Sequence, residues 1–282
     1  MTVPPIAVAA VLGGAALHAA WNVGIRGGLD RRASTALLAL SAALIGALGL
    51  PFLPAVNPAV WRHLFLSAAL HILYFNLVAE AYSRGAVSLT YPIMRGSAPA
   101  LAAAIAALGF AEPLAPAGWG GLILITGGVW LQARLRGEAG EGRALSIALL
   151  NALIIACYTV NDAFGTRLSH SPVAYALWTF VLPAVPCSLI LLRGRLSRLF
   201  TGTRPAQAWL RGLGGGLCSV ASYTLALWAM TKAPIGAVAA LRETAMLFGV
   251  LFAWWFLGER PRRRSLFAVA LIALGAAVID LA

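Results

Sequence analysis

Two arginines stand in stretches that are otherwise almost wholly apolar: Arg95 in SLTYPIMRGSAPALAAAIAALGF (88–110) and Arg242 in IGAVAALRETAMLFGV (235–250). A guanidinium offers a planar fork of N–H donors that suits a carboxylate or phosphate. It can equally tie helices together through a buried acid, or through backbone carbonyls freed by a nearby proline, and Pro92 and Pro99 flank Arg95. Sequence leaves both roles open. Arg242 is followed directly by Glu243. Adjacent helical residues diverge by about 100°, so Glu243 is expected to pair with a neighbouring helix rather than with Arg242. Together, Arg and Glu could divide the carboxylate and ammonium of a zwitterion between them.

Other polar side chains recur at helical spacing. Gly14, His18 and Asn22 form one stripe at i, i+4 and i+8, and Asn151, Tyr158 and Asp162 share one side of a later segment with Asn161 beside them. His18 can bridge helices or carry a proton. Asp162 falls near the end of its segment, where a carboxylate is either part of a site or simply solvated. His71, Tyr74 and Asn76, and Ser219, Ser222, Tyr223 and Trp228, could line an amphipathic cavity; Tyr and Trp also serve as headgroup anchors. Glu80, four residues before Arg84, is expected to form a local helical ion pair, and Glu112 and Glu259, beside Pro113 and Pro261, to orient segment ends.

The elements that must hold these groups are membrane helices. Of 282 residues, 61% are hydrophobic and 11% charged, with a mean hydropathy of +0.85, far from the balance of a soluble domain. Apolar runs of bilayer length recur at 3–23, 33–54, 63–83, 87–110, 117–135, 144–164, 173–192, 207–230, 235–257 and 265–281. An all-α protein with ten transmembrane helices is expected. The runs do not alternate polar with apolar, which excludes a β-barrel. Met1 to Pro5 carries no Lys or Arg, so the first run is read as an uncleaved helix, not a signal peptide. Cys157, Cys187 and Cys218 lack metal-ligand spacing and read as small packing residues.

The net charge of +12 sits in loops beside the spans, which points to anionic membrane lipids and not to nucleic acid. There is no HExxH, GxSxG or P-loop, and LGGGLCS (213–219) reads as a close-packing surface. Neither an enzyme nor a cofactor or metal is expected, and uphill movement of a solute would draw on a gradient.

At an offset of 147 residues, 82–113 faces 229–260 without a gap, setting Arg95 on Arg242 and Glu112 on Glu259. At an offset of 139, Asn22 of LHAAWNV meets Asn161 of ACYTVND. Two five-helix repeats are therefore expected, 1–138 and 139–282, forming one membrane domain. An odd number of spans per repeat makes the second enter the bilayer from the opposite side, as in the inverted repeats of secondary transporters.

The ten spans, the five-plus-five halves and the endings FAEPL and FLGERP on the fourth and ninth spans resemble the drug/metabolite transporter superfamily, and specifically its EamA-like family. The resemblance implies a bacterial inner-membrane carrier, often an exporter of amino acids or other metabolites. It also implies both termini in the cytoplasm. Basic residues argue the reverse: loops after odd-numbered spans hold sixteen Lys and Arg against three after even-numbered ones, which puts the termini outside, and we follow the count. The expected protein is a secondary transporter of a small organic metabolite, an amino acid or amphipathic anion, binding at Arg95, Arg242, Glu243, His18, Asn22, Asn161, Asp162, Tyr74, Tyr158 and Tyr223. Its cavity is expected between spans one, three, four, six, eight and nine. A homodimer is an arrangement the sequence leaves open. The alternatives are a flippase for a lipid-linked headgroup and a membrane scaffold or sensor that transports nothing.

Overall fold

The computed structural model describes residues 3–24, 31–133, 141–192, 205–258 and 260–281. Among them, all regular structure is helical: α1 (Pro5–Gly24), α2 (Arg31–Gly49), α3 (Trp61–Arg84), α4 (Val87–Phe110), α5 (Pro116–Leu131), α6 (Glu141–Leu168), α7 (Pro172–Leu192), α8 (Pro205–Met230), α9 (Ile235–Leu241), α10 (Ala245–Leu257) and α11 (Arg263–Asp280). Proline opens α5 and α7, where its missing N–H would have no partner in any case. Among the described residues, seven stretches are long and apolar enough to cross a membrane, including Leu89–Phe110 and Ile235–Phe256; Pro5–Ala20 and Pro116–Leu131 are shorter apolar helices. Each expected span overlaps a helix among the described residues, and the fourth matches α4 end to end, whereas the second and fifth, expected to reach 54 and 135, end at Phe52, in a 3-10 turn after α2, and at Leu131 of α5. The sixth was placed at 144–164, yet α6 runs on to Leu168.

The expected ninth span is interrupted. α9 and α10 are joined by a 3-10 turn over Arg242–Thr244, and the Thr244 hydroxyl donates to the Leu241 carbonyl (2.7 Å), a back-bond that bends a helix at its site. α4, by contrast, stays continuous through Pro92 and Pro99. Both spans stop in the same way, in a left-handed residue: Ala111 (φ 51°) after α4 and Gly258 (φ 68°) after α10. Glycine adopts that conformation freely, whereas alanine is strained in it.

α5 packs on α11, α1 on α8, α3 on α6, α4 on α6, α2 on both α7 and α8, and α1 on α10. Small residues bring these backbones close. A Cβ built on Gly121 would lie 2.6 Å from the Gly275 carbonyl oxygen, so α5 and α11 touch main chain to main chain. Gly216, in the cluster read as a packing surface, lies against Ser41 and Ala42 of α2 in the same manner. Large apolar side chains such as Phe52, Leu108, Trp255 and Phe256 are turned outward, while the interior is rich in alanine. That distribution suits a lipid surround, which is as apolar as the core.

Candidate functional site

A cavity of ≈ 180 Å³ lies at the centre of the helices. Its wall takes His18 from α1, Thr35 and Leu38 from α2, His71, Tyr74 and Phe75 from α3, and Arg95 from α4. From the second half come Tyr158 of α6, Thr179, Phe180, Pro183 and Cys187 of α7, Ser219, Ser222 and Tyr223 of α8, and Arg242 of the 3-10 turn. All six spans expected around the cavity contribute. α2 and α7 complete it, and the sequence reading missed both: Thr35, Thr179 and Cys187 look like ordinary span residues, and nothing in their spacing marks an inward face.

The two arginines occupy different surroundings. Arg95 places Nη2 2.7 Å from Oε1 of Glu243, with side-chain exposures of 15% and 4%. Glu243 does pair with a neighbouring helix, as adjacent-residue geometry requires. Arg242 instead lies over the ring of Tyr223, its Cζ 5.2 Å from the ring centroid, a cation–π contact with the electron-rich face. Among the described residues, no carboxylate is in ion-pair contact with Arg242.

Behind Tyr223 sits a second carboxylate. Asp162 accepts from the Tyr223 hydroxyl at Oδ2 (2.6 Å), and at Oδ1 from the Tyr175 hydroxyl (3.1 Å) and from Nδ2 of Asn161 (3.1 Å). It is fully buried. The option of a solvated carboxylate at a span end is thus overturned, because α6 continues six residues past it and two phenols close over it. Three donors satisfy most of its acceptor capacity, the condition for burying a charge.

His71 stacks on Tyr158 with ring centroids 4.3 Å apart, and Tyr74 meets Tyr158 edge-on at 6.0 Å. The His71 Nδ1 donates to the Ser67 carbonyl (2.9 Å), which leaves Nε2 as the acceptor in the neutral ring. One flank of the cavity is therefore an aromatic cluster from α3 and α6.

Of the expected site residues, Arg95, Arg242, His18, Tyr74, Tyr158 and Tyr223 line the cavity, and Glu243 and Asp162 stand directly behind that wall. Asn161 turns to α3, donating to the His63 carbonyl and bonding its Nδ1, each at 2.9 Å. The side chain of Asn22 and the whole of Glu259 lie outside the described residues. Asn76 is exposed and donates to the Ile72 carbonyl, so it lies off the cavity. Among the described residues, no cluster of His, Cys, Asp or Glu could hold a metal ion.

A separate polar knot joins helix ends. Arg167 grips Glu112 with both Nη atoms (2.9 Å each) and donates through Nε to the Met230 carbonyl (2.7 Å), while Glu112 accepts from the Ile235 N–H (3.1 Å). The end of α4, the end of α6 and the α8–α9 junction are fastened together, which is the orienting role expected of Glu112. The sequence offered Arg167 only as a loop charge. Glu80 and Arg84 form the expected pair on α3.

Residues 142–280 match the model of the EamA-like transporter family. No curated protein matches the chain in sequence. One solved structure, described only as the crystal structure of a protein, aligns with a TM-score of 0.76 at 19% identity, covering 98% of this chain and 96% of its own. At that identity the likeness speaks for the fold alone.

Proposed function

From the premise that this chain belongs, through residues 142–280, to the EamA-like transporter family of the drug/metabolite transporter superfamily, we propose that it is a secondary exporter. It carries a small organic metabolite, an amino acid or amphipathic anion, across the bacterial inner membrane by alternating access. Members of the family are membrane transporters, not enzymes, and this chain is a multi-pass membrane protein. The observation that carries the proposal is the central cavity, walled by four spans from each half and holding arginine, imidazole and phenol groups in an otherwise apolar protein.

The binding residues of this reading are Arg95 and Arg242 with His18, Tyr74, Tyr158 and Tyr223, which line the cavity, while Glu243 and Asp162 stand behind them and hold Arg95 and Tyr223. The two halves, 1–138 and 139–282, act as inverted repeats that rock about the cavity. Helix pairing supports that reading: exchanging each span for the one five later turns the α1–α8 contact into α6–α3, and leaves α2–α7 and α5–α11 as pairs on the axis. The matched left-handed ends at Ala111 and Gly258 support it too.

The test begins with a thermal-shift screen of the detergent-purified protein against amino acids, organic anions and organic cations, since a ligand of the folded state raises its apparent stability. Counterflow of each hit is then measured in proteoliposomes. Counterflow above protein-free vesicles is expected; sealed vesicles holding folded protein that move no solute would turn the reading toward a scaffold or sensor. Orientation is tested by fusing a reporter active only in the cytoplasm to Ala282. The charge count predicts no signal, and a strong one places the termini inside.

A further inference from the structure

We infer that Arg242, and not Arg95, holds the substrate's charge, and that the cavity selects compact apolar monoanions over zwitterions and amines; this rests on the transporter reading above. Both arginines reach the wall, but the Arg95 guanidinium is committed to Glu243 at 2.7 Å. Arg242 meets a ring face, which steadies the cation without using its in-plane N–H donors. Arg242 is part of the cavity wall. A carboxylate entering the cavity finds at Arg242 a fork whose position is already fixed by Tyr223.

The carboxylates decide what is refused. An ammonium group is held most firmly by an acid that can reach it, and neither nearby acid belongs to the wall. Glu243 is only 4% exposed and engaged by Arg95, and Asp162 is fully buried under the hydroxyls of Tyr223 and Tyr175 and the Asn161 amide. A zwitterion would bring its ammonium into a wall with aromatic rings and hydroxyls but no carboxylate to pair it, beside two guanidinium groups, which is unfavourable. The rest of the substrate meets Tyr74, Phe75, Tyr158 and Phe180, surfaces suited to a flat or aliphatic body.

Three probes sharing one skeleton separate the possibilities: 3-phenylpropanoate (anion), phenylalanine (zwitterion) and 2-phenylethylamine (cation), titrated calorimetrically onto the full-length protein in detergent. Wild type is expected to bind the propanoate at least tenfold more tightly than either amine-bearing probe. Arg242→Gln is expected to weaken propanoate binding about 30-fold or more, the usual consequence of truncating one partner of a desolvated charge pair. Arg242→Lys, which keeps the charge in case the glutamine variant does not fold, is expected to weaken it about tenfold through loss of the fork. Arg95→Gln releases Glu243 and is expected to bring measurable binding of 2-phenylethylamine. Wild-type propanoate affinity in either Arg242 variant, equal affinity for the three probes, or no binding of any probe overturns the inference. Counterflow separates this from the transporter reading: a propanoate that binds through Arg242 but is never moved leaves the inference standing and removes the transporter. A propanoate that is moved with unchanged affinity in Arg242→Gln does the reverse.

Discussion

The fourth and ninth spans carry an arginine at matching positions, and the protein treats the two differently. Around Arg95 the helix is continuous despite two prolines, and the guanidinium is neutralised by a glutamate borrowed from the other span. Around Arg242 the helix breaks into a 3-10 turn, and the guanidinium rests on a tyrosine ring. Two spans that align at an offset of 147 residues thus hold one paired and one poised cation. Register alone does not assign chemistry; the partner does. Glu243 follows Arg242 in sequence and serves Arg95 in space, and that displacement separates the two roles.

The largest break in this comparison comes from removing the shared acid. Glu243→Ala leaves the largely enclosed Arg95 without its counter-charge, and a loss of about 3–5 kcal/mol is expected in equilibrium unfolding of the detergent-solubilised protein. The double variant Arg95→Gln/Glu243→Gln should lose clearly less, because no charge is stranded; equal losses would show that the pair is not what holds these spans together. At the helix ends, Glu112→Ala breaks the grip on Arg167 and strips the Ile235 N–H of its acceptor. A loss of about 1–3 kcal/mol is expected by the same measurement. If stability does not change, the knot contributes nothing to holding α4 against α6 and α9.

A smaller effect probes the seat of Arg242. Tyr223→Phe keeps the ring beneath the guanidinium but removes one donor from Asp162, for an expected loss of about 1–2 kcal/mol with the anion preference intact. Should anion binding collapse in Tyr223→Phe, the hydroxyl and not the ring face would be the element that positions Arg242. The smallest effect lies at the matched ends. Ala111→Gly relieves a strained left-handed alanine and should stabilise by about 0.5–1 kcal/mol, whereas Gly258→Ala should destabilise by about 1 kcal/mol. Opposite signs of the two shifts in melting temperature are the result to look for.

The spans were legible because the bilayer fixes their length and an apolar run of that length has few other uses. Arg95, Arg242, Tyr158 and Tyr223 could be picked out because a polar group inside such a run is costly and needs a reason. Their partners could not. Adjacent-residue geometry sends Glu243 to another helix without saying which, and Asp162 reads equally as a site residue or a terminal carboxylate until the length of α6 decides it. α2 and α7 escaped notice for a different cause. Where lipid and interior are equally apolar, hydrophobic patterning carries little information on which face turns inward, so Thr35, Thr179 and Cys187 gave no signal. The break at Arg242 was invisible as well, for IGAVAALRET contains neither a proline nor an internal glycine at the turn itself, and a threonine back-bond marks the place.

α5 and α11 meet main chain to main chain at Gly121 and Gly275, and neither contributes a residue to the cavity wall. At these glycines main chain faces main chain, with Ile125 and Ile279 packed alongside, so sliding or tilting meets a steep wall of repulsion. Mechanically the pair is a keel: close-packed along its seam and set apart from the cavity. A bulky residue placed at Gly121 or Gly275 would therefore push the two helices apart along the whole seam.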